Sequence, residues 1–321
     1  MAGRTGFNVI ERWQKYRQAD DLGLSSSDSG DSRAVNKDGS FNVHRIGGVR
    51  NLYHLLIHMK WSVFIALVLL VYTLINILFA FVYLFIGVEH ISGLDGTSFF
   101  SMFMHAFFFS AQTLTTVGYG AMAPKGILTS AVSSFEALMG LLLFSLATGL
   151  FHGRFVKPIR GVVFSNIGVV APYLDGKAFM VRLANKFDHN LINMEANMIA
   201  VLLIEEDGVK KRRYHTLKLE TSKVVMLPLN WTLVHKIDSE SPLFEMSKED
   251  CKNARLEILV MTKAFDESYS QELHFRTSWL HTEIIWNAKF KLPYTITEGK
   301  TVFDLSKLDD YEPVMLAESV S

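Results

Sequence analysis

The sequence predicts a membrane α plus all-β protein: two membrane-spanning helices with a short re-entrant helix between them, followed by a cytoplasmic β-sandwich of immunoglobulin-like type. Three observations predict it. Residues 61–86, WSVFIALVLLVYTLINILFAFVYLFI, contain no Asp, Glu, Lys or Arg, and at about 1.5 Å per residue they exceed the roughly 30 Å hydrocarbon core of a bilayer. Residues 126–152 are also long enough to span and hold a single formal charge, Glu136. From Gly161 onward the chain breaks into short apolar runs separated by turns, the texture of a sandwich. The 49% hydrophobic content and zero net formal charge average over these unlike halves.

Taken in order, residues 1–46 form a cytoplasmic arm. Its first forty residues are rich in Ser, Asp and Gly, with SSSDSGDS at 25–32, so much of the arm is expected to be mobile. FNVIERWQKYRQ (7–18) has the periodicity of a short helix. Leu52, Leu55, Leu56 and Met59 follow i, i+3, i+4, i+7 spacing beside Arg50, His54 and Lys60. That pattern predicts an amphipathic helix over residues 47–60, lying on the inner membrane surface. The first span, residues 61–86, is too far from the start to be a secretory signal.

Flanking cations set the orientation. Arg45, Arg50 and Lys60 precede the first span, and Arg154, Lys157 and Arg160 follow the second. Between the spans only Lys125 is basic, against Glu89 and Asp95, so both termini are expected in the cytoplasm. The single Cys251 excludes an intrachain disulfide.

Residues 98–114, SFFSMFMHAFFFSAQTL, are apolar but too few to cross and return as two full helices. A short helix that dips in and returns as extended chain through TTVGYG fits the length. Irregular backbone at membrane depth survives only when buried in protein or lining a water-filled cavity, so this segment reads as the wall of a pore. Thr115, Thr116, Val117, Gly118, Tyr119 and Gly120 form the candidate selectivity filter. Carbonyls of Thr116, Val117, Gly118 and Tyr119, with the Thr116 hydroxyl, would replace the hydration shell of a K⁺ ion, and segments from several subunits would complete the oxygen rings. Glycines admit backbone angles that a Cβ forbids. A Gly-bearing turn is the plain alternative, but its place between two spans argues for the pore.

After the second span (126–155) the β-type runs begin. NMIAVLLIEEDGVKKRRYHTLKL (197–219) carries Asp207-Gly208, a tight-hairpin signal. RLEILVMTKAF (255–265), QELHFRTSWL (271–280), TEIIWNAKFKL (282–292) and KTVFDL (300–305) are further strand candidates. GxGxxG, a Walker loop, a Cys/His cluster and internal repeats are all missing from the sequence, so neither a cofactor, catalysis nor a nucleic-acid partner is expected.

The filter, the two spans, and the motifs VKPIRGVVFS (156–165), LVHKIDSESPLFEMSKEDCKNARLEILV (233–260) and EIIWNAKF (283–290) together resemble the inward-rectifier potassium channels. The resemblance covers residues 38–305. The link between the spans lacks the paired cysteines of animal members, so the chain looks like the prokaryotic branch, often called KirBac. The resemblance implies a homotetramer in the plasma membrane, with the cytoplasmic β domain over 158–310 and a tail over 311–321. It puts the hinge glycine at Gly140 and pore-facing gate positions at Phe144, Thr148 and His152. These are four residues apart and drift only about 40° per step on a helix.

Strongly rectifying relatives carry Asp where this chain has Phe144, so the resemblance implies weak block by Mg²⁺ or polyamines, with Ba²⁺ as a filter blocker. It places an acidic ring of the cytoplasmic pore at Glu195 and the constricting loop at Lys263, Ala264 and Phe265, where Lys263 would oppose cations. Arg50, Lys60, Trp61, Lys157 and Arg160 match positions that meet anionic lipids such as phosphoinositides, though topology-setting cations with an aromatic belt explain them equally. Glu136 must face protein or water, either bonding behind the filter or packing between helices.

Two rivals remain. One is a two-span channel gated by a nucleotide-binding domain, which lacks its glycine fingerprint here. The other is a membrane-anchored ligand-sensing or scaffolding β-sandwich, which leaves TTVGYG without a purpose.

Overall fold

A computed structural model describes residues 33–44, 46, 51–94, 98–156, 161–187, 190–206 and 209–314. The chain divides into one unit over residues 46–157 and another combining residues 1–45 with 158–321.

The first unit is helical. Helix α1 (Leu52–His58) starts at Asn51, whose side chain accepts from the backbone N–H of Tyr53 at 3.0 Å, satisfying a free donor of the first turn. Helix α2 (Trp61–Ile86) ends at Gly87, in the left-handed region at φ 112°. Strand β1 (Ile91–Ser92) precedes α3 (Phe99–Leu114), which is capped by Ser98 accepting from Ser101 N–H at 3.3 Å. Strand β2 (Ala123–Pro124) pairs antiparallel with β1 and leads into α4 (Ile127–Phe155). Among the described residues, helices α2 and α4 are the two long enough and apolar enough to cross a membrane.

One side of α2 packs against α3: Phe79, Ala80 and Tyr83 meet Ala106 and Phe109 in a buried cluster. Elsewhere α2 exposes Leu69, Leu70, Leu74 and Leu78. A helix apolar all round, with one face packed on protein and the rest bare, suits lipid rather than water.

The second unit is a sandwich. Its strands are β3 (Val162–Phe164), β4 (Gly168–Tyr173), β5 (Gly176–Asn185), β6 (Leu191–Glu206), β7 (Val209–Leu217), β8 (Lys223–Met226), β9 (Asn230–Ile237), β10 (Glu257–Asp266) and β11 (Gln271–Leu280). A short helix, α5 (Lys248–Asn253), lies before β10, and β12 (Ile284–Trp286), β13 (Ala288–Phe290), β14 (Tyr294–Thr297), β15 (Lys300–Phe303) and β16 (Tyr311–Pro313) follow β11. One sheet has the order β11-β10-β6-β7 with β8 also on β6; the other has the order β12-β4-β5-β3 with β9 on β5. Ladders in both are antiparallel except β12 on β4.

Period-two alternation builds the core. Burial in β9 alternates residue by residue, and Trp231, Leu233 and Ile237 meet Met198, Ala200 and Leu202 of β6 and Ile258 and Val260 of β10 between the sheets. The Asp207-Gly208 turn lies outside the described residues; the strands on either side of it pair antiparallel.

Two boundaries differ from expectation. Residues 311–313 form β16, paired with β13, so the domain extends past residue 310 into the segment expected to be tail. Residues 33–41, inside an arm expected to be largely mobile, are docked on the sandwich. Val35 is fully buried against Ile199, Val201, Tyr214 and Leu259, on the outer face of the first sheet. The N–H groups of Ala34 and Val35 donate to the buried Glu257 carboxylate at 2.9 and 3.3 Å, and Ser278 Oγ donates to the Val35 carbonyl at 2.6 Å. Polar composition suggested disorder, but backbone donors satisfying a buried acid decided otherwise.

Candidate functional site

The end of α3 carries the site. Thr115 continues the helical backbone at φ −82°, and its hydroxyl donates to the Ala111 carbonyl at 2.7 Å. The chain then reverses, because the N–H groups of Val117 and Gly118 both reach the Gln112 carbonyl, at 2.9 and 3.4 Å. From there every second residue is left-handed: Thr116 at φ 59°, Gly118 at 51° and Gly120 at 84°. A positive φ at every second residue breaks the regular reversal of successive peptide groups that a β-strand has. Carbonyls aligned on one side are what a column of cation sites requires. At Gly118 and Gly120 a Cβ would meet nothing within 4 Å of its own chain, so it is the backbone angle that demands glycine. Thr116 adopts the angle without glycine's freedom, a local strain that sequence reading did not anticipate.

All six residues from Thr115 to Gly120 are exposed in the single chain, Tyr119 by 84%. Past the candidate filter, Gly93 at φ 75° leaves room for the Ala121 carbonyl, 2.0 Å from where its Cβ would stand, and Lys125 N–H donates to the His90 carbonyl at 2.7 Å. These contacts hold the returning chain beside the segment after α2.

Between the helices, Glu136 of α4 is fully buried. Tyr83 Oη of α2 donates to its Oε2 at 2.5 Å, and Ser110 Oγ of α3 bonds its Oε1. Ser110 Oγ also bonds Asn76 Oδ1 of α2 at 3.0 Å. Glu136 is both bonded and packed between helices: one acid joins all three long helices of the unit. Tyr83, Ser110 and Asn76 went unnoticed in sequence, where a lone hydroxyl or amide in an apolar run gives no signal beyond its polarity. One turn further along α4, Gly140 is buried against the Leu114 carbonyl.

Phe144, Thr148 and His152 all lie on α4 and are exposed in the single chain, Phe144 by 73%. Lys60 caps α2 and is exposed. Trp61, expected at the lipid interface, is 43% exposed and stacks on the Arg154 guanidinium at 4.6 Å. Arg50, Lys157 and Arg160 lie outside the described residues.

The cytoplasmic positions need correction. Lys263, Ala264 and Phe265 are not a loop; they lie inside β10, paired with His274, Leu273 and Glu272 of β11. The turn comes at residues 267–270. Ala264 is 1% exposed and belongs to the sandwich core, at a register shift against β6, so it cannot line a passage. The apolar alternation of β10 runs through this stretch and carries it into the core. Lys263 is not a free cation either: its Nζ lies 3.2 Å from Glu195 Oε2, directly across the ladder, while Lys223 Nζ lies 2.7 Å from Glu195 Oε1. Those two lysines hold the Glu195 carboxyl below the usual range, Lys223 foremost.

Comparison with known proteins bears on this arrangement. The inward rectifier potassium channel C-terminal domain model matches residues 162–321, and an ion channel model matches residues 70–157. Inward rectifier potassium channel Kirbac3.1 of Paramagnetospirillum magnetotacticum is 34% identical over 285 residues, covering 87% of this chain and 95% of the relative. The chain belongs to the inward-rectifier potassium channel family. Human G protein-activated inward rectifier potassium channel 2, at 26% identity over 83% of this chain and 69% of its own length, is a more distant relative. Membership makes the chain an integral membrane channel protein of the prokaryotic Kir type, with two spanning helices and a cytoplasmic all-β domain.

Proposed function

We propose that four copies of this inward-rectifier chain assemble around the 115–120 segment as a homotetramer that conducts K⁺ passively, with both termini in the cytoplasm. The observation that carries this reading is the left-handed alternation at Thr116, Gly118 and Gly120 on an exposed segment at the end of α3. Thr116, Val117, Gly118 and Tyr119 supply the K⁺ ligands, and the exposed Val117 and Tyr119 side chains find their packing in neighbouring copies. Phe144, Thr148 and His152 converge at the cytoplasmic side as the gate, closing it sterically and by dewetting.

Block by Mg²⁺ and polyamines is weak in this reading, because Phe144 offers no charge and Glu195 is neutralised by Lys223 and Lys263. Ba²⁺ blocks at the filter. The exposed Lys60, with Arg50, Lys157 and Arg160, meets anionic headgroups such as phosphoinositides.

Tracer Rb⁺ uptake into proteoliposomes tests the reading. Ba²⁺-sensitive uptake that prefers Rb⁺ to Na⁺ is expected. Its absence at every lipid composition and pH would leave the membrane-anchored sandwich as the better account.

A further inference from the structure

Arg154 on the last turn of α4 has the sequence position of a topology-setting cation, whose ordinary place is among lipid headgroups. It is not there. Only 8% of it is exposed. Its Nη1 donates to the Leu56 carbonyl and its Nη2 to the Met59 carbonyl at 2.6 Å. These are acceptors at the C-terminal end of α1, where carbonyls lack helical partners and the helix dipole favours a cation. The same guanidinium lies 4.6 Å from the Trp61 ring centroid and 4.5 Å from that of Phe64, both in the first two turns of α2.

A planar fork that bonds two carbonyls while lying against two aromatic rings is work for Arg; the point charge of Lys cannot do both. The surroundings close the joint. Phe151 packs on Phe64 at 5.1 Å, Phe155 packs on Trp61 at 5.1 Å, and Gly153 leaves room for Tyr53 Oη, 3.0 Å from where a Cβ would stand.

We propose that Arg154 is a positioning residue that clasps the interfacial helix α1 to the cytoplasmic end of α4, so that α1 and the turn bearing His152 move as one body. The proposal rests on the channel reading above for its effect on gating, but the clasp itself does not. Any splaying of the α4 ends must carry α1 along or break two hydrogen bonds and two ring contacts together, so force on α1 reaches the gate through this side chain. Arg154 is thereby withdrawn from headgroup binding.

Two measurements on the full-length protein test it. Hydrogen–deuterium exchange needs no conduction: Arg154→Met should speed exchange at residues 51–60 while leaving 99–114 unchanged, and unchanged exchange at 51–60 would overturn the clasp. Single-channel recording then reads the effect on gating. Arg154→Met, Arg154→Lys and Trp61→Leu should each shift open probability by about fivefold or more, the lower end of ordinary coupling between sites, with K⁺ over Na⁺ selectivity unaltered. The Arg154→Met/Trp61→Leu double variant should show less than the summed effect. Additive effects, or wild-type gating in Arg154→Lys, would refute the coupling. Should Arg154→Met fail to assemble, Trp61→Leu, which keeps both carbonyl bonds, carries both measurements. A wild type without Ba²⁺-sensitive current would sink the channel reading, and exchange would still decide the clasp.

Discussion

The Leu114 carbonyl oxygen stands 1.8 Å from the point where a side chain on Gly140 would begin. Family resemblance implies a hinge at this glycine, yet its first physical role in this chain is contact: it lets the second span touch the last turn of the helix that leads into the candidate filter. Because a backbone atom faces the missing Cβ, Gly140→Ala must move one helix off the other, an overpacking of about 1–3 kcal/mol. The expected outcome is loss of Rb⁺ over Na⁺ discrimination in tracer uptake. A variant that only changes open probability, with discrimination intact, would speak for the hinge alone.

Glu136 ties Ser110 and Tyr83 together one turn earlier. Glu136→Leu strands the Tyr83 hydroxyl in an apolar site, at about 1–3 kcal/mol, and takes from Ser110 one of its two partners, Asn76 remaining. Tyr83→Phe removes one hydroxyl and leaves Ser110 as a partner of the acid. The thermal midpoint of the detergent-solubilised protein should therefore fall further in Glu136→Leu than in Tyr83→Phe. The reverse order would contradict the network.

The Glu195 carboxylate already has two ammonium partners. Lys223→Gln/Lys263→Gln removes both and leaves the acid without a cationic partner, so spermine should block this variant more strongly than wild type. Adding Glu195→Gln should return the block to the starting level. Equal block in all three would show that Glu195 does not face the conduction path.

His235 is buried on β9, with Nδ1 2.8 Å from the Lys218 carbonyl and Nε2 2.8 Å from Ser241 Oγ. Burial holds its pKa below the usual histidine range, against the opposing pull of the Lys218 carbonyl. As pH falls through about 6.5, the unfolded chain takes up a proton that the folded chain refuses. The stability tied to this group is complete above that pH and drains away below it, toward the lowered folded value. Thermal midpoints between about pH 7.5 and 5.5, the window around the free histidine pKa, should decline more steeply in wild type than in His235→Gln. Parallel declines would remove His235 from the account.

Much of the architecture was legible locally. Unbroken apolar runs long enough to cross a bilayer mark α2 and α4, because length and hydropathy are properties of a single segment. Ser98 before a run of aromatics marks the start of α3. Glycines at 118 and 120 mark the left-handed turns of the candidate filter, since a positive φ is a demand each residue meets by itself, though Thr116 meets it too and shows no sign of doing so. Alternation marks the strands, but it was the continuation of that alternation through Ala264 that turned an expected loop into buried strand.

The sequence by itself determined which segments cross the membrane, which one carries the candidate filter and that the other half is β; these follow from periodicity, segment length and local backbone preference. Only the tertiary structure decided who meets whom: Glu136 with Ser110 and Tyr83, Gly140 with the Leu114 carbonyl, Arg154 with the end of α1, Glu195 with Lys263, and the backbone of Ala34 and Val35 with Glu257. Each pair joins residues far apart in the chain, and helix packing and strand register, which no local pattern encodes, bring them together.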